Sequence, residues 1–168
     1  MALSVRAIRF WLSHALAVAA SACAVDSPAS GEERLAQSEP GPVPVGTLAR
    51  APHYEMLVSL AEDCEVDATE QRADVSRVGV EVSIWGRGDL QVVANPYYAL
   101  MLDAEGYVYE AVVAGCEPRL SAQLLARGES AKGWISFDVP SDKRGLTLTY
   151  LPRLTSGEIE ELSFQTGR

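Results

Sequence analysis

The chain has 168 residues, 14 Lys and Arg against 23 Asp and Glu, a net charge of −9 and three cysteines. That length allows one domain. So acidic a chain lacks the basic surface that nucleic acid or anionic lipid would dock on, and both are excluded as electrostatic partners.

The N-terminus reads as a secretory signal. Arg6 and Arg9 make a short basic region, and Phe10 to Ala20 is apolar apart from Ser13 and His14. Eleven helical residues rise about 16 Å, against a bilayer core of about 30 Å, so the stretch is too short to span. Ala20-Ser21-Ala22 is an A-x-A cleavage site, which makes residues 1–22 a signal peptide. Cys23 follows at once. The Ala20 to Cys23 tetrapeptide looks like a bacterial lipobox, with Ala20 where leucine is usual. Cys23 is expected to be lipidated, or else to be the first residue of a plainly secreted chain. Residues 1–22 carry two arginines and no acid, so removing them takes the charge from −9 to −11. Lipidation of Cys23 leaves Cys64 and Cys116 as an even pair in an oxidising compartment, where a disulfide is expected. The alternative is two buried thiols.

Residues 23–44 are polar and rich in Pro and Gly, too poor in apolar residues to fold, and read as a flexible tether. The folded domain is expected over 45–168. Val45 to Arg50 suggests a short first strand. Tyr54, Met56, Val58 and Leu60 alternate with polar or outward residues, the period-2 pattern of a strand with one buried face. Ala61 to Asp74 is acidic and reads as a long surface loop holding Cys64. Val78, Val80, Val82 and Ile84 predict the central strand. Gly86 to Asp89 is a turn, and Leu90 to Ala94 a return strand that Asn95-Pro96 breaks. Tyr98, Leu100 and Leu102 alternate into Asp103-Ala-Glu-Gly106, where Gly106 can supply the positive φ of a bulged hairpin turn. Tyr107 to Val113 is the return strand. Leu120, Leu124 and Leu125 suggest one helical turn within 114–127. Ile135, Phe137 and Val139 make a strand that Pro140 ends. Leu146, Leu148 and Tyr150 make another, and Glu161 to Phe164 a last. About eight short strands with regular turn signals predict an all-β sandwich or barrel.

Chemistry-bearing patterns are few. His53 is the one histidine beyond residue 22, so no hydrolytic triad or zinc ligand set is expected, and with them no catalytic residue, metal or cofactor. Glu62, Asp63, Glu65, Asp67 and Glu70 crowd one loop with oxygen ligands that suit Ca²⁺, but without an Asp-x-Asp-x-Asp-Gly frame. Arg87-Gly88-Asp89 matches an adhesive tripeptide and also makes an ordinary turn. Beyond residue 22 there are two tryptophans, Trp85 and Trp134. Both are out of phase with the inward residues of their strands, so alternation points them away from the core. An exposed tryptophan suits a docking surface, and both are candidate binding residues. Otherwise a loop such as Glu62 to Asp74 folds over them.

Three stretches carry a resemblance. They are the valine-rich Val78 to Ile84, the run Tyr98-Ala-Leu-Met-Leu-Asp-Ala-Glu-Gly106, and Gly128 to Tyr150 with its Gly-Glu-x-x-x-Gly-aromatic-x-x-Phe-x-Val-Pro and Leu-x-Leu-x-Tyr patterns. Together they resemble a bacterial domain family of unknown function in secreted proteins and lipoproteins, similar to the mycobacterial immunoprotective extracellular antigen. The departure is Trp85-Gly-Arg-Gly88, where an Asn-x-Gly turn is usual. The resemblance implies an immunoglobulin-like β-sandwich, here of about seven to eight antiparallel strands, outside the cytoplasm, and it implies no activity. The expectation is a non-enzymatic lipoprotein in the bacterial cell envelope. Its anchor would be a lipid in the membrane, and it would bind an unknown protein partner in the envelope or extracellular space. The alternative is a free secreted or periplasmic domain that binds a small ligand or Ca²⁺.

Overall fold

A computed structural model describes residues 41–65 and 72–168. Residues 1–22, read above as a signal peptide, Cys23, most of the stretch read as a tether, and Asp67 and Glu70 of the acidic run lie outside the described residues.

Alternation in the sequence becomes strands throughout. Eleven are present among the described residues: β1 (Val43–Pro44), β2 (Leu48–Arg50), β3 (Tyr54–Asp63), β4 (Val75–Gly86), β5 (Val92–Ala94), β6 (Ala99–Leu102), β7 (Val108–Val112), β8 (Gln123–Leu125), β9 (Ser130–Pro140), β10 (Thr147–Tyr150) and β11 (Leu162–Gln165). The expectation of seven to eight is therefore too low. The strands not expected, β1 and β8, are two and three residues long, too short to show a period. Nor are all pairs antiparallel, since β1 runs parallel to β11. Val43 and Pro44, placed in the tether by composition, are thus part of the sheet. The helical turn suggested near Leu120, Leu124 and Leu125 is absent: Gln123 to Leu125 is extended and pairs with β5.

Nine strands follow the order β1-β11-β10-β6-β7-β9-β4-β3-β2, and β5 and β8 form a separate ribbon. One strand joins two layers. The first part of β7 pairs with β6, through Val108, Tyr109 and Glu110. Its end, Ala111 and Val112, pairs with Phe137 and Ser136 of β9. The opposite edges, β1 and β2, are three residues apart in sequence. Between them Val45 N–H donates to the Gln165 carbonyl and Gly46 N–H to that of Val58, at 3.2 and 2.8 Å. The sandwich is therefore nearly closed at both sides, which leaves little open sheet edge.

The core lies between the layers. Met56 and Val58 of β3, Val80, Val82 and Ile84 of β4, and Ile135 and Phe137 of β9 are almost wholly buried against Met101, Leu148 and Phe164. At one end Tyr54 and Tyr150 meet edge to face, ring centres 6.2 Å apart. The Tyr150 hydroxyl accepts from Asn95 N–H at 3.0 Å, and burial pushes both phenols up.

The Asp103 to Gly106 turn shows what its sequence required. Gly106 has φ +85°, and its N–H donates to the Asp103 carbonyl at 3.0 Å. The Asp103 carboxylate accepts from the N–H groups of Glu105 and Tyr107 and from the Tyr109 hydroxyl, at 2.9, 3.0 and 2.8 Å. Burial works against its charge, but these bonds and Lys143 outweigh burial and hold the carboxyl below its ordinary range. Burial, then the bond to Asp103, pushes the Tyr109 phenol up to about 12. A lowered carboxylate stabilises the fold above its unfolded pKa, and that contribution is lost as pH falls through the folded value. In denaturant titrations the stability gap between wild type and Asp103→Asn should therefore be full at neutral pH. It should shrink below about pH 4, the ordinary aspartate range. A gap that stays constant down to pH 2 would show that the charge is not what holds the turn.

Candidate functional site

The site is built on the outer face of β4 and β9. Gly79 and Ser136 face each other there. The Cys64–Cys116 disulfide lies on Gly79, where a Cβ would come within 2.4 and 2.6 Å of the two sulfurs. The Ser136 hydroxyl accepts from Cys116 N–H at 3.1 Å and lies 3.5 Å from Cys64 Sγ. One end of the segment 114–122 is thereby clamped to the sheet.

That segment then runs along the edge of β9 as a strap. Trp134 N–H donates to the Pro118 carbonyl and Leu120 N–H to the Trp134 carbonyl, both at 2.9 Å, a parallel bridge. Leu120, only 3% exposed, enters the core over Gly133. A Cβ at Gly133 would sit 2.5 Å from Leu120 N. Arg119 Nη1 donates to the Val113 carbonyl at 2.9 Å, and Nε meets Glu117 Oε1 at 3.2 Å. The bonds to the sheet, with Leu120 as anchor, explain why three leucines at helical spacing do not form a helix.

Between strap, β7 and the 3-10 turn Pro96–Tyr98 lies a cleft of about 330 Å³. Its apolar wall is Tyr97, Val113, Leu120, Ala122, Trp134 and Ile135, with Asn95, Arg119, Ser121 and Ser136 as polar members. Asn95 caps the turn, its Oδ1 accepting from Tyr97 N–H at 3.0 Å. Tyr97 and Val113 stand at the rim, 57% and 60% exposed.

The two tryptophans fare differently. Trp134 lies on the face of β9 opposite Ile135 and Phe137, but the strap covers it and leaves it 8% exposed. Of the alternative cover, Glu62 to Asp74, residues 66–71 lie outside the described residues. Its indole N–H has no hydrogen-bond partner among the described residues, yet it is not sealed from solvent. Trp85, half-buried, borders a separate shallow hollow with Leu48, Glu55 and Arg87. Trp85 lies four residues along β4 from Glu81, the cross-strand partner of Trp134, which is about 13 Å. The Lys132–Glu81 ion pair, at 2.9 Å, stands between them. The two candidates do not form one surface.

His53 is half-buried and bound to Glu160, Nδ1 to Oε1 at 2.5 Å, and its carbonyl accepts from Arg87 and Gly88 N–H. No serine, threonine or cysteine bonds to it among the described residues. The Arg87-Gly88-Asp89 turn is tied down too, Arg87 to Glu55 at 3.3 Å and Asp89 to Arg127 at 2.6 Å. Of the acidic run, Asp63 pairs with Arg168 at 2.7 Å. Among the described residues no three His, Cys, Asp or Glu side chains are grouped to hold a metal ion. Asn95, Tyr97, Val113 and Arg119 were not singled out by sequence. The only available signal was Asn95-Pro96-Tyr97-Tyr98, a strand breaker carrying two aromatics.

No family model matches the chain, and no curated protein matches it. Solved structures do. A putative lipoprotein of Bacillus subtilis, YcdA, superposes with a TM-score of 0.58 at 11% identity, over 73% of this chain and 39% of that one. The chain thus spans about two fifths of YcdA. The YjhA protein of the same species matches at TM-score 0.55 and 18% identity, over 73% of this chain and 99% of its own. The secreted protein MPT63 of Mycobacterium tuberculosis matches at 0.55 and 16%, over 74% and 97%. At these identities the likeness is one of fold: this chain is a β-sandwich similar to secreted and lipoprotein β-sandwiches of bacteria.

Proposed function

We propose that the chain is a non-enzymatic binding module of the bacterial envelope, an immunoglobulin-like sandwich tethered through a lipid on Cys23, which docks a protein partner at the Trp134 cleft. The observation that carries the reading is the cleft itself. It is the concave, mostly apolar site with a few convergent polar groups that binding sites share, and an aromatic anchor forms its floor. The Ala20-Ser21-Ala22-Cys23 sequence and the likeness to a secreted and a lipoprotein sandwich support the location. The cleft volume of about 330 Å³ also keeps the small-ligand reading in play, at the low end of the usual range of about 300–1,000 Å³.

Two measurements test this. Wild type should partition into detergent and Cys23→Ser into the aqueous phase; if both stay aqueous, there is no lipid anchor. A photo-cross-linking amino acid at Tyr97, on the cleft rim, should trap a defined protein in intact cells. The same group at Tyr107, exposed at the far end of the β6–β7 hairpin, should not. Equal capture at the two positions would remove the cleft from the reading.

A further inference from the structure

The cleft has an uneven chemistry. In a chain of net charge −9 its lining contains no carboxylate, and its one charged side chain is Arg119. Apart from the Ser121 hydroxyl, which can donate or accept, its uncommitted side-chain polar groups are donors. The Trp134 indole N–H is unpartnered in a residue 92% buried. The Asn95 amide accepts from Tyr97 through Oδ1, while its NH₂ has no partner among the described residues. Arg119 spends Nη1 on the Val113 carbonyl and Nε on Glu117, and its Nη2 is unspent. Glu117 also accepts from Arg119 N–H at 2.9 Å, so it stays beside the arginine, but the ion pair itself is solvent-exposed, 52% and 68%, and is weak. An apolar floor ringed by spare donors is complementary to an apolar group that carries an acceptor oxygen. The strongest such acceptor is a carboxylate, which arginine binds in its planar fork. The volume holds one side chain rather than a helix or a folded surface.

Resting on the docking proposal above, we infer that the cleft takes the C-terminal residue of a partner polypeptide. An apolar last side chain would lie against Trp134 and Leu120, and its carboxylate would take Arg119 Nη2 and the neighbouring donors. Capture of a terminal carboxylate by oriented donors is a recurrent mode of peptide recognition.

The probe is a fluorescein-labelled Gly-Gly-Ala-Leu peptide, as free acid and as C-terminal amide, read by fluorescence polarisation with the purified protein. The free acid should bind and the amide should bind at least tenfold more weakly. Trp134→Phe keeps the apolar floor and removes the N–H, and should weaken the acid several-fold while leaving the amide unchanged. Arg119→Gln should erase the preference for the acid. Circular dichroism separates this from loss of the strap. Equal binding of acid and amide, or no binding of the acid at millimolar protein, overturns the inference. So does displacement by N-acetyl-leucine as potent as by the peptide, since the site would then read a free apolar acid. If no peptide binds while Tyr97 still traps a partner in cells, the docking proposal stands and only the terminal-carboxylate inference falls.

Discussion

Replacing Cys64 and Cys116 together by alanine is expected to lower stability by about 4 kcal/mol, the loop-closure entropy that a bridge between residues 52 apart removes from the unfolded chain. For a domain of roughly 125 residues that is a fall in Tm of about 15 °C. The loss should not be uniform. The bridge clamps the strap at Gly79 and Ser136, so releasing it should also loosen the cover over Trp134. Acrylamide should then quench Trp134 fluorescence more strongly below the melting transition, in a Trp85→Phe background. A second substitution sharpens the test. In wild type Gly79→Ala drives a methyl into both sulfurs and should be badly tolerated, whereas without the sulfurs that methyl fills the space they leave. The two changes should couple by at least 1 kcal/mol in a double-mutant cycle. Additive effects, or a cysteine-pair loss under 1 kcal/mol with unchanged quenching, would mean that the strap is held by its backbone bonds alone.

The strands were legible because only one face of each meets the core. Val78, Val80, Val82 and Ile84, and Ile135, Phe137 and Val139, alternate since each faces the core with every second side chain. The Asp103 hairpin was legible because a positive φ and a side-chain-capped turn leave their mark in residue type. Phase, by contrast, survives only until a bulge. The register of β3 slips between Val58 and Leu60, and the strand goes on to Asp63 with Ala61 half-buried and Leu60, expected inward, exposed. Cys64 was therefore expected in a loose loop, yet it directly follows the strand, and its N–H donates to the Arg77 carbonyl at 2.8 Å. The strap was not legible at all. Leu120, Leu124 and Leu125 have helical spacing, but what places them is a free β9 edge, a disulfide and a glycine that admits a backbone, all remote in sequence. Trp134 follows from this. Alternation gave its face correctly, and only the tertiary cover decides whether that face is wet. The cleft inherits the same difficulty, because its walls come from the Asn95 turn, the end of β7, the strap and β9.

The strap gives the second large effect, at Gly133. This glycine has no positive φ among the backbone exceptions, so conformational freedom does not explain it. Space does. An alanine Cβ would lie 2.5 to 2.7 Å from Leu120 N, Leu120 Cα and Arg119 C, all backbone atoms that cannot rotate aside. Accommodating it means lifting the strap. That forfeits much of the burial of Leu120, about 2 kcal/mol, and two backbone hydrogen bonds at about 1 kcal/mol each. Gly133→Ala should therefore cost about 3–4 kcal/mol, well beyond the few tenths that added backbone stiffness would return. Gly128→Ala is the control. Gly128 has φ +85° with open space around its would-be Cβ, so it should cost only about 1 kcal/mol, through backbone strain. The two glycines stand five residues apart in the same motif for opposite reasons, and fluorescence separates them. Gly133→Ala should red-shift Trp134 emission and abolish peptide binding at the cleft, while Gly128→Ala should leave both intact. Equal costs at the two positions, with Trp134 emission unmoved in each, would mean that the strap yields without lifting and that Gly133 does not hold the cleft open.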